Sequence, residues 1–212
     1  MDDSHFSDAE LIRRFLEGDR EAFNALVRRY EKKVYQYAYR LAQSQEDAAD
    51  VASETFVRLY TSVKNFRGEA SLSTWLYRVV SNVYFDYRKR QKSHQHQSLE
   101  GVSPDNTGIE RQWVDTAAVD LEERALQQER RRALELAVSK LPEYQRAMVV
   151  MFHMEERSYE EIAEIMEMPL GTVKSRLNRA RIALKDLLKP YLELFDVDDS
   201  QTNLEADNAR DM

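Results

Sequence analysis

The chain has 212 residues and no cysteine, which excludes disulfides, thiol nucleophiles and Cys-ligated zinc sites. Five Gly and four Pro make up about 4% of the residues, against roughly 12% in an average protein, which argues against a β-rich fold with many tight turns. The longest apolar run, from Ala147 to Phe152, is far shorter than the ~20 residues that a membrane span needs. We therefore expect an all-α protein of the reducing cytoplasm, neither secreted nor inserted in a membrane.

The net charge of −7 is distributed unevenly along the chain. Residues 1–93 carry 16 Lys and Arg against 14 Asp and Glu, and residues 130–191 carry 12 against 9. Residues 94–129 carry 2 against 8, and residues 192–212 carry 1 against 7. Two weakly basic blocks are thus separated and followed by acidic segments, a pattern typical of a linker and an interaction tail.

Helical periodicity of apolar residues predicts four helices in the first block. A short helix is capped by Ser7 or Asp8 and ended by Gly18. Three longer helices follow over about residues 23–41, 46–63 and 71–92. The fourth of these helices ends in a strongly basic cluster.

The second half of the chain begins with a polar segment and then becomes periodic again. A flexible acidic linker is predicted for residues 94–120, and helices resume at Leu121, after Pro142, and over about 160–167 and 172–188. The predicted organisation is two small helical domains, the second containing a helix-turn-helix, followed by an acidic, disordered tail. Their bounds are 1–93 and 121–191 for the domains and 192–212 for the tail.

Residues 159–177 have the pattern of a helix-turn-helix, with Leu170 expected to fill the turn. The polar face of the second helix carries side chains that hydrogen-bond base edges or phosphates in a major groove. Free backbone N–H groups at Thr172 and Val173 would add a phosphate site. An ordinary helical hairpin with a solvated basic face is the alternative. The candidate DNA-reading residues are Thr172, Lys174, Ser175, Arg176, Asn178 and Arg179.

Aromatic and basic side chains interleave along the fourth helix, a composition that suits single-stranded DNA. Rings can stack on bases while cations hold the backbone. Trp75 also falls on the apolar stripe, so core packing is the alternative for it, whereas Asn82, Tyr84 and Phe85 are harder to place in a core. The candidates on this helix are Trp75, Arg78, Asn82, Tyr84 and Arg88.

Three acidic residues, Asp47, Asp50 and Glu54, fall at i, i+3 and i+7 of the third helix and so line one face. A solvated acidic face and a docking surface for a basic partner both explain this row. Val51, which we expect to be exposed beside the acids, favours docking.

The sequence contains no catalytic signature. No phosphate-binding loop, nucleophile elbow or zinc-protease motif occurs, and the four His form no ligand set. We expect a protein that is not an enzyme, with no catalytic residues, no metal and no cofactor.

Taken together, these segments resemble a bacterial RNA polymerase sigma factor of the extracytoplasmic-function type. The resemblance spans about residues 8–93 and 121–188. It rests on the order and spacing of Glu46–Phe56, Phe66–Gly68, Ser73–Arg78, Leu141–Pro142, Ser158–Ala163, Gly171–Leu177 and Arg179–Arg181. The acidic tail after Leu192 extends past the usual end of this family.

The resemblance implies that the two domains are regions two and four of a factor mounted on core RNA polymerase. It implies docking of Asp47, Asp50, Val51 and Glu54 on the polymerase clamp, and of the second domain on the flap. A flipped base of the minus-ten element would enter a pocket formed by Asn65, Phe66, Arg67, Gly68 and Asn82. Lys174, Ser175, Asn178 and Arg179 would read the minus-thirty-five element as duplex. Promoter DNA and an anti-sigma factor are the other implied partners.

Two other functions compete with this interpretation. A stand-alone helix-turn-helix regulator would bind a specific duplex without polymerase, usually as a dimer on paired half-sites. A purely helical adaptor would have no DNA role, so Lys174→Ala or Arg179→Ala would change no DNA-dependent activity.

Overall fold

The computed structural model describes residues 6–66, 71–97 and 121–195. Over these residues the chain forms helices and no strand, which confirms the all-α class. The helices are α1 (Asp8–Leu16), α2 (Arg20–Ala42), α3 (Gln45–Ser62), α4 (Leu72–Gln97), α5 (Leu121–Ser139), α6 (Glu143–His153), α7 (Tyr159–Ile165) and α8 (Leu170–Leu188). Short 3₁₀ turns, Val63–Asn65 and Lys189–Phe195, follow α3 and α8.

Side chains that satisfy unpaired backbone N–H groups define where several helices begin. Ser7 Oγ accepts a hydrogen bond from the Glu10 N–H at 3.2 Å and starts α1, as predicted. Ser158 Oγ accepts from the Glu161 N–H at 3.1 Å, and the Glu161 carboxylate accepts from the Ser158 N–H at 2.9 Å. This reciprocal capping box fixes the start of α7. Gly18, with φ of 104°, ends the segment after α1 in a conformation that glycine favours.

Helices α1–α4 form an N-terminal bundle around a closely packed apolar core. Leu11, Leu26, Leu41 and Leu59 are fully buried there. The buried Tyr37 ring carries a polar link across this core, a 2.9 Å hydrogen bond between its hydroxyl and Ser81 Oγ that joins α2 to α4. Burial raises the pKa of Tyr37, so this hydroxyl stays neutral.

Helices α5–α8 form a C-terminal bundle in which α8 packs against α5, α6 and α7. Met148, Met151, Ile162 and Leu177 are fully buried between these helices. The 3₁₀ turn after α8 lies against α5 and α8, and the Arg130 guanidinium donates a hydrogen bond to the Leu194 carbonyl. The last described residues are thereby attached to the bundle.

Both acidic segments begin later than the sequence pattern indicates. Helix α4 continues to Gln97, inside the predicted linker, because no helix-breaking residue interrupts residues 94–97. Residues 192–195 belong to the 3₁₀ turn rather than to a tail. Predictions for residues 98–120 and 196–212 lie outside the described residues. None of the helices described is long and apolar enough to cross a bilayer.

The capping box makes a stability prediction. Ser158→Ala removes the acceptor for the Glu161 N–H, so we expect the free energy of unfolding to fall by about 1 kcal/mol. Urea denaturation followed by circular dichroism measures this change. Ser53→Ala, an exposed serine in the middle of α3, is the control and is expected to cost nothing. Equal midpoints for wild type and Ser158→Ala would contradict the assigned role of the cap.

Candidate nucleic-acid interface

The helix-turn-helix consists of α7, a short turn and α8. Glu167 lies in the turn with φ of 51°, which allows the sharp change of direction. The prediction that Leu170 fills the turn is wrong, since this side chain is 38% exposed at the first position of α8. Met166 and Met168 pack against the core from the turn instead. Flexible thioether side chains suit such an irregular gap.

Helix α8 separates its buried and polar faces as the helical spacing predicts. Val173, Leu177 and Ala180 are fully buried, so the residues between them face outward. The exposed candidates are Lys174, Ser175, Arg176, Asn178 and Arg179, while Thr172 is half-buried. The structure therefore brings all six predicted duplex-reading residues to one end of one helix.

The start of α8 does not offer the free N–H groups that the sequence suggested at Thr172 and Val173. Both donate to the Pro169 carbonyl, at 2.8 and 3.1 Å, because the proline-initiated turn already closes on its own backbone. These two N–H groups are therefore already occupied and do not form the predicted phosphate site. Ser175 Oγ also bonds locally, to the Thr172 carbonyl at 3.1 Å.

Arg181 points back to its own domain rather than outward with the exposed cations of α8. Its guanidinium lies 4.7 Å from the centroid of the Phe152 ring, and its Nε is 3.4 Å from His153 Nε2. Burial, with the charge of Arg181, lowers the pKa of His153 and favours the neutral imidazole. Arg181 thus ties α8 to α6.

On α4, Asn82 is exposed, but the other predicted strand-binding residues differ in their surroundings. Trp75 is half-buried, with its ring centroid 5.6 Å from that of Phe66. Tyr84 is fully buried, which corrects its predicted place outside the core. Asn65 ends the 3₁₀ turn after α3, and Arg67 and Gly68 lie outside the described residues.

The basic and aromatic side of α4 packs against the C-terminal bundle. Arg78 Nη2 donates to the Glu164 carbonyl at 2.8 Å, and Nη1 lies 3.3 Å from the Glu167 carboxylate. The Phe85 and Tyr144 rings stack with centroids 4.1 Å apart. Arg78 is therefore held by residues of the helix-turn-helix itself.

Glu143 at the start of α6 adds an ionic contact to this interface. Its carboxylate lies 2.7 Å from Lys92 Nζ and 3.7 Å from Arg88 Nε. Burial alone would raise the pKa of Glu143, but hydrogen bonding to Lys92 and the nearby cations outweigh it, and the pKa is lowered. Glu143 thus stays ionised between two cations of α4.

Arg146 and Glu155 anchor the two bundles to each other most deeply. The buried Arg146 Nη1 donates to the Leu41 carbonyl at 2.8 Å and contacts the Tyr84 hydroxyl at 3.2 Å. The Glu155 carboxylate accepts from Arg40 of α2 and from the Tyr77 hydroxyl of α4. The bundles therefore form a closed arrangement, which buries Tyr84 and which no pattern in the sequence predicts.

The acidic face of α3 is only partly free. Asp50 is exposed, whereas Glu54 pairs with Arg58 at 3.0 Å and Asp47 accepts from the Tyr87 hydroxyl at 2.6 Å. Burial, followed by this hydrogen bond, raises the pKa of Tyr87 to about 12. An open groove of ≈ 340 Å³ between α3 and α4 lies beside Asp50 and Glu54.

The expectation that Val51 is exposed beside these acids is wrong. Val51 has no exposed surface, since it follows Ala48 by three residues on the buried side of α3. The exposed apolar side chains of α3 are instead Val57 and Tyr60, 58% and 49% exposed and about two turns or more further along the helix. Both residues lie off the apolar stripe of α3, and this position was the sequence signal that could have identified them as exposed.

Among the described residues, no cluster of three or more His, Asp and Glu side chains could hold a metal.

Comparison with known proteins gives matches to both bundles. The model of Sigma-70 region 2 matches residues 26–94, and that of Sigma-70, region 4 matches residues 131–184. The ECF RNA polymerase sigma-E factor of Haemophilus influenzae is 35% identical over 189 residues, which cover 88% of this chain and 97% of the relative. The ECF RNA polymerase sigma factor SigW of Bacillus subtilis is 32% identical over 178 residues, covering 84% and 95%.

Two solved structures share the fold. One is the sigma factor RpoE of Bartonella quintana in complex with the anti-sigma factor NepR, with a TM-score of 0.61, 24% identity and coverage of 79% of this chain and 96% of that one. The other is CnrH in complex with the cytosolic domain of CnrY, with a TM-score of 0.58, 22% identity and coverage of 86% and 97%.

The interface between the bundles predicts a measurable opening. The double variant Glu143→Gln/Glu155→Gln weakens charged contacts to α2 and α4. Because such hydrogen bonds contribute about 1.5 kcal/mol or more each, we expect at least a tenfold rise in the open population. Small-angle X-ray scattering would register this as a larger radius of gyration.

The matched control is Glu156→Gln/Glu160→Gln, which changes two neighbouring exposed acids. It removes the same charge and should scatter like the wild type. Identical radii for both double variants would mean that Glu143 and Glu155 do not hold the bundles together.

Proposed function

Since the chain belongs to the extracytoplasmic-function family of RNA polymerase sigma factors, it directs promoter-specific initiation of transcription, and we propose that its two bundles divide promoter recognition between them. The C-terminal bundle reads the minus-thirty-five element as duplex. The N-terminal bundle takes up the minus-ten element as a melted strand. The observation that carries this proposal is the exposed polar side of α8 on the C-terminal bundle, together with the exposed Asn82 on α4 of the N-terminal bundle.

The duplex-reading role is assigned to the exposed polar side of α8. Asn178 and Ser175 can hydrogen-bond base edges, and Arg179 can make a bidentate contact with guanine. Lys174 and Arg176 supply charge for the phosphates on either side. The burial of Val173 and Leu177 supports this role, because it fixes which side of α8 enters a groove.

The strand-binding role is assigned to α4 and the segment before it. Asn82 is exposed in the closed arrangement, whereas Arg78 and Arg88 contact the C-terminal bundle. We infer that the bundles separate when the factor joins polymerase, which frees these cations for the DNA backbone. Residues 98–120 can span up to about 80 Å when drawn out, enough for promoter elements about 70 Å apart.

Polymerase docking is assigned to the α3 face around Asp50 and Glu54. The exposed Val57 replaces Val51 in this assignment, because a docking surface needs accessible apolar area beside its charges. The C-terminal bundle would contact the flap. An anti-sigma factor that holds the closed arrangement is a further proposed partner. We also propose that the protein acts in the cytoplasm, without catalytic residues, metal or cofactor.

Run-off transcription with purified core polymerase and a genomic promoter library tests the function directly. A discrete transcript that requires this factor is the expected result. Specific binding to an operator by the factor alone, with no transcript from the library, would favour the stand-alone regulator instead.

The assignment of Arg179 makes a graded prediction. Arg179→Ala should reduce promoter-specific transcription about 10-fold or more, since a good bidentate base contact is worth ~1–3 kcal/mol. Lys185→Ala is the control, because Lys185 is an exposed cation two turns further along α8 and outside the reading set. Run-off yields on matched and base-substituted minus-thirty-five elements measure both. An equal loss for the two variants would reduce the role of Arg179 to charge alone.

The assignment of Asn82 concerns melting rather than duplex recognition. Asn82→Ala should lower permanganate reactivity in the minus-ten region several-fold while leaving holoenzyme binding to the closed promoter unchanged. Ser93→Ala, an exposed change eleven residues further along the same helix, should melt DNA normally. Normal reactivity with Asn82→Ala would remove this residue from the strand-binding site.

A further inference from the structure

The acidic segment of residues 196–212 begins close to the duplex-reading helix. The 3₁₀ turn Lys189–Phe195 follows α8 directly and packs against α5 and α8. Arg130 holds the Leu194 carbonyl at the end of this turn. The segment therefore starts from a fixed point on the C-terminal bundle.

The charge of this segment is opposite to that of α8. Residues 196–212 contain six Asp and Glu and one Arg, whereas α8 contains five Lys and Arg and one Asp. Lys174, Arg176 and Arg179 are exposed, and they lie on the face assigned to DNA. Screening limits such attraction to about 8 Å at physiological salt, so it requires close approach.

The length of the segment permits that approach. Helix α8 rises about 1.5 Å per residue, which places Arg179 about 14 Å and Lys174 about 21 Å before its last residue. Seventeen residues have a relaxed span of about 23 Å. A tether of this length gives its acids a local concentration of ~1 mM at the reading face.

We propose that residues 196–212 bind the face of α8 formed by Lys174, Arg176 and Arg179, and so compete with DNA. This inference rests on the proposed reading role of α8. The contact displaces non-specific duplex, which binds mainly through phosphates, and yields to a promoter that is also held by polymerase. The acids of residues 98–120, which precede α5, are the rival occupant, and the first measurement below distinguishes the two segments.

Paramagnetic broadening tests the contact in the full chain without DNA. Ser200→Cys gives one attachment site for a nitroxide, because the chain has no native cysteine. We expect strong broadening of the α8 amides around Lys174 and Arg179. The broadening should fall when the six acids of residues 196–212 are changed to Asn or Gln. Broadening that is absent, or that changes only when the acids of residues 98–120 are neutralised, would overturn the proposal.

Competition with DNA is measured by fluorescence anisotropy on a non-specific duplex at low salt. For a local Kd of ~0.1 mM, neutralising the six acids should tighten binding about tenfold. The control variant Gln201→Ala/Thr202→Ala/Asn203→Ala leaves every charge in place and should bind like the wild type.

The two measurements separate docking from simple repulsion. Tighter DNA binding without any change in α8 broadening means that the acids repel DNA at a distance, which overturns docking. Reduced broadening with unchanged DNA affinity overturns competition. Failure of the proposed function is distinct from both, since it appears as the absence of any factor-dependent transcript.

Discussion

The closed arrangement depends on a buried guanidinium. Arg146 extends from α6 toward α2 and α4, where the Leu41 carbonyl and the Tyr84 hydroxyl accept from the same nitrogen. Its other terminal nitrogen bonds the Ser139 and Leu141 carbonyls of its own bundle. A buried cation without such partners would be strongly destabilising. Through these hydrogen bonds, one side chain links the C-terminal end of α2 to the loop between α5 and α6.

This link determines which parts of the molecule are available. In the closed arrangement the cations of α4 contact Glu143, Glu164 and Glu167, whereas the outward face of α8 stays accessible. The face that we propose for paired DNA and the face that we propose for a single strand are thus not equally accessible. In the proposed function, docking on polymerase supplies the free energy that separates the bundles, and it does so through the surface around Asp50 and Val57.

Much of the secondary structure was predictable, because apolar spacing, caps and Pro142 act locally. The outward polar face of α8 followed from the same periodicity. The burial of Val51 and Tyr84 was not predicted, for two different reasons. Val51 lies next to a polar face but still points inward, and Tyr84 is covered by the second bundle. Domain closure was not predictable, since Arg146 recognises backbone carbonyls, which carry no sequence signal.

The strand-binding role proposed for α4 has a thermodynamic consequence. Arg78 cannot pair with Glu167 and with a nucleic-acid phosphate at the same time, so in this proposal the C-terminal bundle and the unpaired strand exclude each other there. By linkage, the closed state weakens strand binding by the same free energy by which strand binding weakens closure. A melted promoter would therefore keep the two bundles apart for as long as the single strand stays bound to α4.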